Sequence, residues 1–235
     1  MSEALDKVRG VRELPLFPLP LVLFPGVPLP LHIFEERYRR LLADVRVANN
    51  LFGLSYFDPN AGADERPAEG SVGCATEVVE VQPLPDGRSN ILTVGVARYR
   101  VEGYVERGDP YHVARVEFFE DDEAVDAQVL EKRAAEVTEM FMRIARAMRS
   151  INNERGTLPE LPQDDPERLS FLIAAVVEMD AESKQQLLEL RSTSERLRRL
   201  YTLLSQAVDS YESRARTHEL ARGNGHAGRK LDLEE

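Results

Sequence analysis

The sequence predicts an α+β protein, with short strands forming a small, partly closed barrel and a bundle of helices following it. Three observations carry this expectation. Residues 14–34 are uncharged yet hold six prolines. Residues 71–120 read as short strands bounded by turn residues. From about residue 122 the apolar residues recur at helical spacing.

The uncharged segment is long enough to be taken for a membrane span. Pro15, Pro18, Pro20, Pro25, Pro28 and Pro30 exclude that reading. Each removes a backbone donor and fixes φ in the extended region, so a lipid-facing helix would be left with unsatisfied carbonyls. The segment is therefore extended and needs a core to cover Leu16, Phe17, Leu21, Leu23, Phe24, Leu29, Leu31 and Phe34. Pro25-Gly26 supplies a reversal midway, Pro by its preset φ and Gly by tolerating φ > 0. Two short strands with a tight reversal are expected, feeding a helix over 34–48 through Phe34, Tyr38, Leu41, Leu42 and Val45.

Leu51 to Phe57 reads as a strand and 58–70 as a polar loop opened by Asp58-Pro59. Cys74 to Val81 is rich in β-branched residues, and Asp86-Gly87 marks a hairpin. Ile91 to Val96 is the next strand. In the one after it, Tyr99, Val101, Gly103 and Val105 alternate with Arg98, Arg100, Glu102 and Glu106, the pattern of a half-buried strand. Tyr111 to Phe119 closes the set. Asp121-Asp122-Glu123 is the expected hinge, with acids suited to a helix start. Leu130, Ala134, Val137, Phe141, Ile144, Met148 and Ile151 form one stripe on a long helix. Asp165 caps a helix with Pro166 at its first position, Asp180 caps a shorter one, and Ser192 to Glu195 fits a capping box. These signals divide the chain into an N-terminal arm (1–11), a β-barrel domain (12–121), a helical bundle domain (122–213) and a disordered tail (214–235).

The run Leu14-Pro15-Leu16-Phe17-Pro18-Leu19, then Val22-Leu23-Phe24-Pro25-Gly26, then Pro30-Leu31-His32-Ile33-Phe34-Glu35 with Arg37-Tyr38, resembles the start of the Lon N-terminal domain. The similarity continues through Val72-Gly73, Pro85 to Arg88, Gly95 to Arg100, Pro110-Tyr111, Lys184 to Glu189 and Glu195-Arg196-Leu197, covering residues 12–212. That domain is the substrate-recognition part of the ATP-dependent Lon proteases and also occurs alone in bacterial proteins. The resemblance sharpens the expected barrel to a PUA-like pseudo-barrel and implies a module that binds unfolded or degron-bearing polypeptides, acting as an adaptor, a chaperone-like factor or a regulator of proteolysis. It implies no catalytic residues and no cofactor, because the family's ATPase and Ser–Lys protease parts lie beyond this region. A protease or chaperone is an expected partner.

Composition agrees. The chain has 235 residues, 43% hydrophobic and 30% charged, with a net charge of −11, which disfavours broad binding to a phosphate backbone. Cys74 is the single cysteine, which excludes an intrachain disulfide and a Cys-rich metal site. No apolar signal core precedes residue 14, so a cytoplasmic location is expected. His218-Glu219 opens like a zinc motif, but Arg222 stands where the second His belongs. No phosphate loop or nucleophile elbow is present.

Two surfaces remain as candidates. Glu35, Glu36 and Arg37 sit where the proline-rich segment turns into the helix. They serve either as dipole-complementing acids with an ordinary ion pair or, as the resemblance implies for Glu36 and Arg37, to orient a bound peptide. Phe24, Pro25, Phe34 and Tyr38 are either core or part of an exposed apolar patch. Arg98, Arg100 and Arg115 give the alternative, a PUA-like RNA-binding face, weighed against a merely solvated one. Met140, Phe141, Met142 and Met148 line an adaptable groove unless the stripe is core.

Overall fold

The first strand, β1 (Glu13–Leu19), follows a five-residue helix, α1 (Glu3–Lys7). The computed structural model describes residues 3–59, 65–124, 126–153, 157–158 and 160–224. The expected N-terminal arm is part of the core: Val8 is buried in a cluster with Leu14, Leu16, Tyr99 and Val116. Next come β2 (Pro28–Ile33), α2 (Glu36–Val47), β3 (Leu51–Tyr56), β4 (Val72–Pro83), β5 (Ser89–Tyr104) and β6 (Val113–Phe119).

β1 and β2 are both extended, as six prolines require, but they do not pair with each other. β1 runs parallel to β3 and antiparallel to β6, while β2 lies antiparallel to β5. The reversal between them is present. Gly26 has φ 76° and the Val27 N–H donates to the Phe24 carbonyl at 3.2 Å. It docks on β5 instead of closing a hairpin: the Gly26 N–H donates to the Gly95 carbonyl (2.9 Å) and the Gly95 N–H to the Val27 carbonyl (3.0 Å).

β5 closes the barrel. The two strands expected over 91–104 are one strand of 16 residues. Its first half pairs with β2 and β4, and its second half with β4 and β6. The ladder β5–β4–β3–β1–β6 thus returns to β5, and β2 hangs from the ring as its outer strand. α2 lays Tyr38, Leu41, Leu42 and Val45 over one end of the barrel, against Phe17, Ile33, Phe52, Val78 and Ile91.

Four helices follow: α3 (Ala127–Asn152), α4 (Pro166–Val176), α5 (Ala181–Glu189) and α6 (Thr193–Asn224). They do not form one bundle. Residues Phe171–Ser192, which include α5, pack with the β barrel as one compact body ending at Glu123, and Ala124–Ser170 with the chain from Thr193 form a second. In the first body the Phe171 ring lies 6.0 Å from Phe24, and the Gln185 amide donates to the Val72 carbonyl at 2.9 Å. Helical periodicity identifies a buried face but not what covers it, so the sequence placed this stretch in the wrong body.

In the second body α3 packs along α6. Its first cap is Asp126, which accepts from the Gln128 and Val129 N–H groups at 3.0 and 3.1 Å, and not the Asp121-Asp122-Glu123 run. The seam is narrower than the stripe: Ala134, Val137, Ile144 and Ala147 are buried, whereas Met140, Phe141 and Met142 are half-buried and Met148 is exposed. Asp165 and Asp180 cap α4 and α5 as expected, accepting from the Arg168 and Ser183 N–H groups. α6 continues through 214–224, expected to be disordered; residues 225–235 lie outside the described residues. Among the described residues, no helix is long and apolar enough to cross a membrane.

Glu195 in the first turn of α6 accepts from Arg198 (2.6 and 2.7 Å) and Arg199 (3.0 Å). The Arg198 bonds first, then Arg199, hold its carboxyl down at about 2. A depressed carboxyl contributes stability above its unfolded value, about 4.3, and loses it as pH falls through 2. Water screens the pair, so the contribution is about 0.5–1 kcal/mol. Thermal unfolding of Glu195→Gln is therefore expected to lie slightly below that of the parent at pH 6 and to converge with it as pH approaches 2.

Candidate functional site

The site begins with the pleat of β2. Successive side chains of a strand point to opposite faces. Pro28, Pro30 and His32 are exposed, Leu29 and Leu31 half-buried, and Ile33 buried. The alternation runs on past the last strand residue, so Phe34 falls on the outward side and is 59% exposed. Phe34 is thus neither core nor helix, contrary to the expectation that the barrel covers it. The His32 ring stacks 6.0 Å from it, and His32 Nδ1 is 2.7 Å from Oδ1 of Asn90, the residue opposite on β5. Pro28, Pro30, His32 and Phe34 form one outward row. Its signal in the sequence is that same period of two; of the row, Phe34 alone is among the candidate binding residues read from the sequence.

Glu35 is the N-cap of α2, with φ −66° and ψ 138°, and its side chain makes no capping bond. The carboxylate turns instead to Arg37, whose Nε and Nη2 lie 2.9 Å away, while Arg37 Nη1 donates to Glu65 at 2.5 Å. The guanidinium stands 4.5 Å over the Tyr38 ring. Glu65 above all, and Glu35, push the Arg37 pKa up. Arg37 is already committed to two carboxylates, and Glu36 is exposed beside them in the first turn. Tyr38 is core: its ring lies 3.9 Å from Phe17, and burial pushes its hydroxyl up to about 12. Phe24 is fully buried and Pro25 half-buried. The structure therefore brings Phe34, Glu35, Glu36 and Arg37 to one exposed junction and places Phe24 and Tyr38 beneath the surface.

The three-arginine face does not form. Arg98 is 1% exposed and paired with Asp121 at 2.5 Å. Arg100 donates to the Gly70 carbonyl at 2.8 Å, and Arg115 is exposed. Alternation along β5 made Arg98 look solvated, but both faces of the strand are covered there. Cys74 is fully buried beside Leu23 and Leu54, and burial pushes its thiol up to about 12, far from a nucleophile's range. Among the described residues, no group of three His, Cys, Asp or Glu side chains could hold a metal.

The family described as the ATP-dependent protease La (LON) substrate-binding domain matches residues 13–206. The chain is 28% identical to a Lon protease of Brevibacillus choshinensis over 207 residues, covering 86% of this chain and 26% of that one. It is 28% identical to the Lon protease of Azospirillum brasilense over 213 residues, covering 87% and 26%. The chain thus spans about a quarter of the length of the Lon proteases it matches. Its fold is similar to the crystal structure of a Lon N-terminal domain protein from Xanthomonas campestris, with a TM-score of 0.60, 22% identity, and 82% and 98% of the two chains covered. The N-terminal domain of Mycobacterium avium complex Lon protease is also similar, at a TM-score of 0.63, 16% identity, and 83% and 98% coverage. With the match running from the first strand into α6, the chain belongs to the Lon substrate-binding domain family.

Proposed function

We propose that this chain is a recognition module for unfolded or degron-bearing polypeptides, carries out no chemistry of its own, and works in the cytoplasm as an adaptor, a chaperone-like factor or a regulator beside a protease. Membership of a substrate-binding family supports the class of activity. The observation that carries the reading to a place on the molecule is the exposed row ending in Phe34. An aromatic ring more than half exposed, at the end of a row of two prolines and a histidine, offers an anchor for an apolar side chain. Glu35, Arg37 and Glu65, locked together beside it, give that surface a fixed polar rim. In this reading Glu36 and the Glu35–Arg37 pair orient the client, while Phe34 supplies the apolar contact. Phe24, Pro25 and Tyr38 hold the junction from below.

Phe34→Ser is expected to weaken binding of a fluorescein-labelled, Leu- and Phe-rich peptide by at least about tenfold, as loss of a central aromatic anchor does. Melting should change little, since exposed positions rarely move stability by more than about 0.5 kcal/mol. Anisotropy and thermal unfolding on the same two proteins check this. Equal affinity in the variant would remove Phe34 from the site.

A further inference from the structure

We propose that the chain reads its polypeptide clients through their side chains and not by adding them as a strand; this rests on the polypeptide-binding reading above. β2 is the terminal strand of the sheet, which would make it the natural edge for strand addition. Its backbone is not equipped for that. Val27 accepts from Gly95 of β5, and Leu29, Leu31 and Ile33 continue that phase opposite Thr93, Ile91 and Ser89. The backbone groups of Pro28, Pro30 and His32 therefore point away from β5, to the open side. Two of these three residues have no N–H. An incoming strand would find carbonyls but only the His32 donor, and its own carbonyls opposite the prolines would stay unpaired.

The other unpaired edge is blunted in a different way. Beyond Val78, β4 has β5 as its single strand partner among the described residues. There the ladder is interrupted by a register shift at Val79, followed by the charge of Glu80 and by Pro83. The remaining strands close on each other through β5 and β6. What β2 does present outward is the side-chain row Pro28, Pro30, His32 and Phe34. The client class is thus a segment carrying aromatic or aliphatic side chains, with its backbone donors and acceptors left to water.

The test compares the labelled Leu- and Phe-rich peptide with the same peptide N-methylated at alternate residues, by anisotropy. Affinities within about threefold of each other are the expected result. A loss of tenfold or more on N-methylation, with the parent still binding, would overturn the side-chain mode and leave the module reading intact. No binding of the parent would overturn both. Pro28→Thr/Pro30→Thr, which restores two donors but removes two side chains of the row, gives the second arm: client affinity is expected to fall, and an affinity that holds or rises would overturn the side-chain mode.

Discussion

Replacing Arg98 with Met is expected to lower stability by about 3–5 kcal/mol, the range found when one partner of a buried ion pair is removed. The side chain is committed to several partners at once. Its Nη2 meets Asp121 at 2.5 Å, and Nη1 donates to the carbonyls of Leu188 (3.0 Å) and Leu190 (2.5 Å). Those two carbonyls close the C-terminal end of α5, where a cation both satisfies orphan acceptors and complements the dipole. The guanidinium also stands 4.6 Å from the Phe119 ring and 5.1 Å from that of Phe171. Met retains most of the apolar stem but takes the guanidinium away from Asp121, a carboxylate 4% exposed. At this chain length a loss of that size is on the order of 10 °C in Tm. Arg98→Met/Asp121→Leu is expected to recover part of it, since an apolar pair avoids the desolvation cost of two ions. Urea unfolding of the three proteins tests this. A loss below about 1 kcal/mol in the single variant would show that the pair is not what ties α5 to the barrel.

Arg98 also marks where sequence reading reaches its limit. Local rules did well where the chemistry is local. Six prolines forced residues 14–34 into extended form, Asp86-Gly87 made the β4–β5 turn, and Asp165 and Asp180 capped their helices. Whatever depended on a distant partner was hidden. Arg98 sits on the polar phase of an alternating strand, and it is buried by residues distant in the chain, Phe119 and Asp121 on one side and the 171–192 stretch on the other. Asp121 reads as a solvated hinge acid until Arg98 is placed against it. β5 is unbroken, yet it reads as two strands in the sequence, an apolar run over 91–96 and an alternating stretch from Arg98. At the candidate site the strand–helix junction was visible in the sequence. Which aromatic faces water was not: Phe24 and Phe34 both follow apolar neighbours, and docking of the 24–27 turn on β5 is what turns one inward.

That docking gives the second large effect. Gly95→Ala is expected to destabilise the chain by about 2–4 kcal/mol, combining overpacking with the weakening of two backbone hydrogen bonds. An ideal Cβ at Gly95 would lie inside the contact distance of the Phe24 carbonyl oxygen, 3.0 Å from the Phe24 carbonyl carbon and 3.1 Å from Cys74 Sγ. Backbone carbonyls cannot rotate aside as a flexible side chain can, so the turn itself must lift. Lifting it strains both hydrogen bonds between Gly95 and the turn, from Gly26 and to Val27, and pulls on Leu23, which is packed with Leu54 and Cys74. β2 leaves this turn directly, so its outward row should shift with it. Gly95→Ala is therefore expected to lose both melting temperature and peptide affinity, whereas Phe34→Ser loses affinity alone. A Gly95→Ala protein that melts within about 1 °C of the parent would mean that the turn yields without cost, and the row on β2 would then owe its support to the β5 ladder and not to the turn.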